Sequence, residues 1–270
     1  MKNSYRWEYM TREEIKEAVH ENALVLIPLG ATEQHGPHLP TGTDTMLAER
    51  ACQLAAEKLE KQGRRIVIAP SVTIANSLHH RAYTGTLSLR PRDYMDYLGY
   101  VCKSISASGF QNICLVNGHG GNGAPTDAAI IEMDAIGGLN VSWLPYYINC
   151  AEEFEKILDT QSDIFHADEV ETSLMLAMDE ELVNPCYQTV KGGDIKKGTP
   201  HGKPGSPKTF MPFETRTENG VLGNSCAATK EKGIQLWETV IKNLTEALLS
   251  PELWRDADHN EKAGGEKDEL

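Results

Sequence analysis

Four stretches of this sequence carry side chains that bind metals or move protons. The first is Gly30-Ala31-Thr32-Glu33-Gln34-His35-Gly36-Pro37-His38-Leu39-Pro40, followed by Asp44. From Glu33 to Asp44 it packs two histidines, a glutamate, an aspartate and two prolines into twelve residues. Glu33 and His35 are two apart, so an extended backbone points them the same way. Asp44 follows a Pro/Gly turn that can fold back on them. Carboxylate oxygens and imidazole nitrogens together suit Zn, Mn or Fe. The second is Asn117-Gly118-His119-Gly120-Gly121-Asn122. It lacks the Lys and the spacing of a phosphate loop, so its glycines are read as letting backbone approach closely around His119. The third runs from His166 through Glu169 and Glu171 to Met175. Helical spacing sets Glu171 on one face with Leu174, Met175 and Met178, which puts a carboxylate among apolar residues and calls for a partner such as a metal. His166, just before that helix, has the right type for a general acid or base. The fourth, His79-His80-Arg81-Ala82-Tyr83-Thr84-Gly85-Thr86, is expected to supply substrate contacts or support rather than ligands. His20, His38, His201 and His259 are read as structural or surface residues.

These stretches need elements to hold them. Leu24 to Leu29 is a continuous apolar run, as in a strand covered on both faces. A helix is expected from Asp44 to Gln62, a strand from Arg65 to Pro70, and a helix capped by Asp93 that ends at Gly109. A third strand at Ile113–Val116, a helix to about Ile136, a fourth strand at Val141–Tyr146 and a helix at Lys230–Leu249 continue the alternation. Repeated strand–helix order predicts an α/β fold, a mostly parallel sheet with helices on both faces. The first two stretches then lie just past strand ends, where open parallel sheets keep their sites. Residues 1–254 are expected to form one domain, with a long loop at about 186–225 and a flexible charged tail at 255–270.

Composition narrows the function. The chain has 270 residues, 26 Lys plus Arg against 39 Asp plus Glu, and a net charge of −13. That balance argues against a nucleic-acid or anionic-membrane surface. No apolar run approaches the roughly 20 residues of a membrane span. Residues 1–20 show no apolar signal core, and the six cysteines have no C-x-x-C pair, so a cytoplasmic protein with reduced thiols is expected. The final Lys267-Asp268-Glu269-Leu270 has the form of an ER-retention address, and is read as chance in an acidic tail.

The four stretches, in their order along the chain, resemble the creatininase (creatinine amidohydrolase) family. The matching segments are Leu29–Pro40 with Asp44, Gly85-Thr86-Leu87-Ser88 with His80, Asn117–Asn122, and His166 through Leu176. Gly220-Val221-Leu222-Gly223 with Ala228–Gly233 matches the closing block, and the similarity spans about residues 20 to 245. The resemblance implies a three-layer α/β/α sandwich, a hydrolase with two divalent metal ions, a small-molecule substrate and a homohexamer. It implies Glu33, Asp44 and His119 as ligands of one ion, His35 and Asp44 of the second with Asp44 bridging, and His166 as the proton-transfer residue. His80, Thr86, Gly120, Gly121, Asn122 and Glu169 are expected to contact substrate or support the ligands. One departure stands out. Creatininase has Asn-Gly-His-Tyr-Glu-Asn, whose Glu binds the second metal, whereas this chain has Gly121 there. Glu171 is the expected replacement, and creatinine is not the expected substrate. The expected activity is hydrolysis of a small cyclic or formyl amide. Cleavage of a keto-cyclitol ring and a non-enzymatic metal-binding role are the alternatives.

Overall fold

Leu24-Val25-Leu26-Ile27-Pro28-Leu29 forms β1 (Leu24–Leu29), and every residue of it is buried. A strand with no polar residue must be covered on both faces, and the computed structural model shows that it is. The structure describes residues 5–137, 139–194 and 209–254, without the side chains of 136 and 137. β1 is flanked by β2 (Ile66–Ile68) and β3 (Asn112–Asn117), and β4 (Val141–Pro145) completes the order β2-β1-β3-β4. All three pairings are parallel, with Leu26 opposite Ile68 on one side and Cys114 on the other.

Alternation along β1 sorts its side chains into two cores. Leu24 and Leu26 pack with α2 (Thr43–Glu60), α6 (Glu169–Met178) and α7 (Lys230–Leu249), and with Phe154 of the short α5 (Ala151–Ile157). Val25, Ile27 and Leu29 pack with α1 (Arg12–His20), α3 (Pro91–Ala107) and α4 (Gly123–Gly137). The result is the expected three-layer α/β/α arrangement. Each fully buried Leu or Ile contributes roughly 1.5–3 kcal/mol.

Local signals account for most helix ends. Thr11 starts α1 with a capping box to Glu14. Asp168 starts α6 by accepting from the Glu171 amide at 2.9 Å. Asp93 does not cap α3, as the sequence suggested. Pro91 takes the first helical position, Arg90 is the cap, and Asp93 stands in the first turn bonded to Arg90. β2 is shorter than the expected Arg65–Pro70, and α5 had no counterpart in the sequence reading.

The irregular segment after Cys186 folds against the body where it is described. Lys191 bridges to Asn224 and Gly193 to Leu222, and Leu222 in turn bridges to His166. Residues 195–208, including His201, and the tail 255–270, including His259, lie outside the described residues. Among the described residues no helix is long and apolar enough to cross a membrane.

Candidate metal centre

The chain runs from β1 through α2 to β2 on one side, then crosses back to β3 on the other. The strand order therefore reverses between β1 and β3, and a crevice opens beyond their C-terminal ends. The loop after β1 delivers Glu33 and His35 into it, and the first turn of α2 delivers Asp44. The loop after β3 closes on that turn. A Cβ on Gly118 would lie 2.6 Å from the Asp44 carbonyl oxygen, so only glycine lets this loop approach and bring His119 alongside. α6 supplies Glu171, and the residue before its cap pair, His166, enters from the same side.

The side chains converge. Asp44 faces two histidines, with Oδ1 3.0 Å from His35 Nε2 and Oδ2 3.0 Å from His119 Nδ1. His119 Nε2 lies 3.3 Å from Glu33 Oε2. Glu33 Oε1 lies 3.4 Å from His80 Nε2 and 3.5 Å from His166 Nδ1. Glu171 Oε2 is 3.8 Å from His35 Nε2 and accepts from the Ala167 amide at 2.5 Å. All of these groups are buried.

This donor set fits metal ions. Both Glu33 oxygens and Asp44 Oδ2 are buried without a hydrogen-bond partner, although imidazole nitrogens lie close by. Buried carboxylates left this way are costly unless a cation completes them. Donors about 2.0–2.2 Å from one ion stand about 3.0–3.4 Å from each other, close to the spacing here. Four groups of three donors are near enough to share an ion: Glu33/His35/Asp44, His35/His166/Glu171, Glu33/His79/His119 and Glu33/His80/His166.

The electrostatics agree. Burial raises the Glu33 carboxyl to about 7 despite the nearby His119, and raises Glu171 well above the usual carboxylate range. Burial would also raise Asp44, but the His35 and His119 imidazoles hold it well below that range. Burial alone would lower His35 and His119, yet the carboxylates around them push them up to about 10 and about 9. Protons therefore occupy the place of positive charge in this cluster, and binding a divalent ion releases them. His166 goes the other way. Burial and the neighbouring His35 lower it well below 6.5.

Gln34 organises the two remaining histidines. Its Oε1 accepts from the Gly36 amide at 2.9 Å and its Nε2 donates to the Gly220 carbonyl at 3.0 Å, which fixes the amide's orientation. The second amide hydrogen goes to His80 Nδ1 at 2.8 Å, so His80 carries its proton on Nε2, facing Glu33. His166 Nε2 donates to the Gln34 carbonyl at 2.8 Å, which leaves the Nδ1 lone pair turned to Glu33. This is the assignment that keeps His166 Nε2 bonded to the Gln34 carbonyl; Gln34 Nε2 also stands 3.0 Å from His166 Nε2, a contact it leaves without a hydrogen.

The structure thus brings together Glu33, His35, Asp44, His119, Glu171, His166 and His80. Gly120 and Gly121 line the cavity. Asn122 buttresses it from behind, donating to the Gly30 carbonyl at 3.0 Å. Thr86 supports the first loop by accepting from the Gln34 amide at 3.2 Å. Glu169 does not join them. Its carboxylate binds Lys232 at 2.6 Å and the 159–160 backbone, and it does not line the cavity. Two positions on a helix are about 200° apart, so a helix that aims Glu171 inward must turn Glu169 away. His38, read as structural, is buried and bonded to Thr172 Oγ1 at 2.9 Å. Two contributors were not singled out from sequence: the Gln34 hub, and Phe213, whose ring lies 4.1 Å from that of His80. His79, read as part of the fourth stretch, lies beside His119. The cavity measures about 510 Å³, ordinary for a small-molecule site.

The creatinine amidohydrolase family model matches residues 8–248. The 3-dehydro-scyllo-inosose hydrolase of Thermotoga maritima is 32% identical over 65% of this chain, and the match spans 56% of that protein. The mycofactocin precursor peptide peptidase of Mycolicibacterium smegmatis is 28% identical over 83% of this chain and 84% of its own. A crystal structure of creatininase superimposes with a TM-score of 0.74 at 23% identity, over 90% of this chain and 96% of that one. Solved creatininases include a manganese form and a zinc–zinc form. The chain belongs to the creatininase family of hydrolases.

Proposed function

We propose that this chain hydrolyses a small cyclic or formyl amide, using two divalent ions, Zn, Mn or Fe, held by Glu33, His35, Asp44, His119 and Glu171. The observation that carries this reading is Asp44, whose two oxygens face His35 and His119 on opposite sides while both Glu33 oxygens stand unpartnered. One carboxylate between two donor groups is the arrangement a bridging ligand needs. Divalent ions bound there supply a Lewis acid for a carbonyl and acidify water.

The chain's own residues do the rest. His166 is neutral, and its Nε2 is tied to the Gln34 carbonyl, so the inward Nδ1 can take a proton from water and return it to a leaving nitrogen. His80 presents its Nε2 proton toward Glu33 at 3.4 Å without bonding it. Phe213, Phe165 and Ile164 line the cavity beside them and limit water. A homo-oligomer, hexameric by family resemblance, is part of the same proposal.

The second reading is cleavage of a keto-cyclitol ring at the C–C bond next to the ketone. The Thermotoga maritima relative favours it, and hydration of a carbonyl is the first step of both reactions. The test is a screen of protein reconstituted with Zn, Mn and Fe against creatinine, formylated pyrimidines, short peptides and keto-inositols, with metal counted per chain. Formyl or cyclic amide turnover with two ions per chain is expected. Turnover of the keto-inositol alone selects the second reading, and a single ion per chain overturns the two-ion site.

A further inference from the structure

Among the described residues Arg216 is the only lysine or arginine lining the cavity, in a chain whose acids outnumber its bases 39 to 26. Among the described residues no carboxylate forms an ion pair with it. Burial of part of its side chain lowers its pKa, and no acid offsets the effect. Its charge reaches His79, which it helps to lower together with burial and His119.

Its position is set by the turn that carries it. Phe213 is 4% exposed, with its ring 4.1 Å from that of His80 and 4.9 Å from that of His166. The Arg216 guanidinium carbon lies 5.6 Å above the Phe213 ring centre, a cation–π contact. Tyr83 ties the turn down by donating to the Thr217 carbonyl at 2.5 Å. One aromatic ring thus separates His80 and His166 from an exposed cation that no described carboxylate pairs. A guanidinium held flat against a ring keeps its fork free for bidentate binding of a planar oxyanion.

We propose that Arg216 is a substrate-binding residue, and that the substrate carries an oxyanion, a carboxylate or a phosphate, at the end away from the bond that is cleaved. This rests on the reading of the cavity as the hydrolytic site. Arg216 would receive that oxyanion across the Phe213 ring from His80 and His166, which also fixes which end of the substrate faces the histidines.

The test uses metal-loaded protein and N-formyl derivatives of glycine, β-alanine and 4-aminobutyrate, each against its methyl ester. N-formyl-O-phosphoethanolamine is the phosphate arm. Dissociation constants are measured by calorimetry for the native protein, Arg216→Gln and Arg216→Lys, and formate release is followed separately. For at least one chain length the acid should bind roughly ten- to hundredfold more tightly than its ester, the range of one charge-assisted hydrogen bond or pair. Arg216→Gln should erase that preference and Arg216→Lys should restore part of it. The tighter of the carboxylate and phosphate arms names the group. Equal binding of acid and ester by the native protein, or a preference that survives Arg216→Gln, overturns the assignment even if formate is released. An intact acid preference with no formate from any compound overturns the amide-hydrolase reading and leaves the Arg216 site standing.

Discussion

By its resemblance to creatininase this chain has Gly121 at the position of a metal-binding glutamate, and restoring a side chain there should damage the site. A Cβ on Gly121 would come within 2.7 Å of three atoms: the Asn76 carbonyl oxygen, His119 Nε2 and His79 Cε1. Ordinary carbon contacts begin near 3.5 Å, so something must move by roughly 1 Å. Asn76 cannot yield easily. Its Nδ2 donates to the Gly121 carbonyl at 2.8 Å and its amide donates to Asn122 Oδ1 at 3.3 Å, which ties the two loops together. Overpacking of this kind costs about 1–3 kcal/mol. With about 2–4 °C per kcal/mol for a chain near this size, Gly121→Ala should lower Tm by roughly 2–12 °C. Displacing His119 by about 1 Å should also cost on the order of 10²-fold in turnover. Differential scanning fluorimetry, metal analysis and kinetics measure all three. Gly121→Glu should do worse than alanine and gain no metal affinity. A Gly121→Ala protein with native Tm, metal content and rate would refute the packing argument.

Asp44→Asn should lose both ions, since each Asp44 oxygen faces a different histidine; mass spectrometry that finds one ion kept at full occupancy would show that Asp44 is no bridge. His166→Asn should lower kcat by about 10²–10⁴-fold with metal content unchanged; loss of an ion would make His166 a ligand through Nδ1. Burial, with the charge of His35, lowers His38 to about 4 from its ordinary 6.5. The unfolded chain therefore binds a proton below pH 6.5 that the folded chain refuses, and stability should fall as pH drops from 6.5 toward 4, by about 1.4 kcal/mol per unit from this group. His38→Gln should flatten that slope in urea titrations, and an unchanged slope would remove His38 as its source.

The residues that sequence reading found are those whose message is local. Glu33, His35 and Asp44 sit in one loop and one helix turn, after a strand legible from six apolar residues, so spacing and position in the fold sufficed. Glu171 was legible because helical periodicity alone sets it on the buried face. The same periodicity sends Glu169 the other way, to Lys232, and counting 100° per residue from Glu171 would have shown it. Gln34 was not legible. It is one polar residue in a polar loop, and its role exists only through partners at His80, His166 and Gly220. Phe213 and Arg216 lie in a segment without periodicity, where sequence gives no face or direction. Asp93 shows a subtler limit: it was read as the cap, but Pro91 fixes the helix start and leaves Asp93 in the first turn.

Gln34 and His166 lie 132 residues apart in the chain and meet only at the finished crevice. A centre assembled from separate loops and the starts of α2 and α6 is complete only in the whole fold. Ion binding is therefore coupled to folding of the whole chain, and free energy gained from ions is gained only by the complete fold. On the proposed two-ion reading, affinity order alone would favour copper and zinc, so iron or manganese would be held only if it is the abundant ion when the crevice closes. Protein made in cells fed with one metal should carry that metal, and exchange should be slow, since release of a buried ion must leave carboxylate oxygens that no other described group bonds.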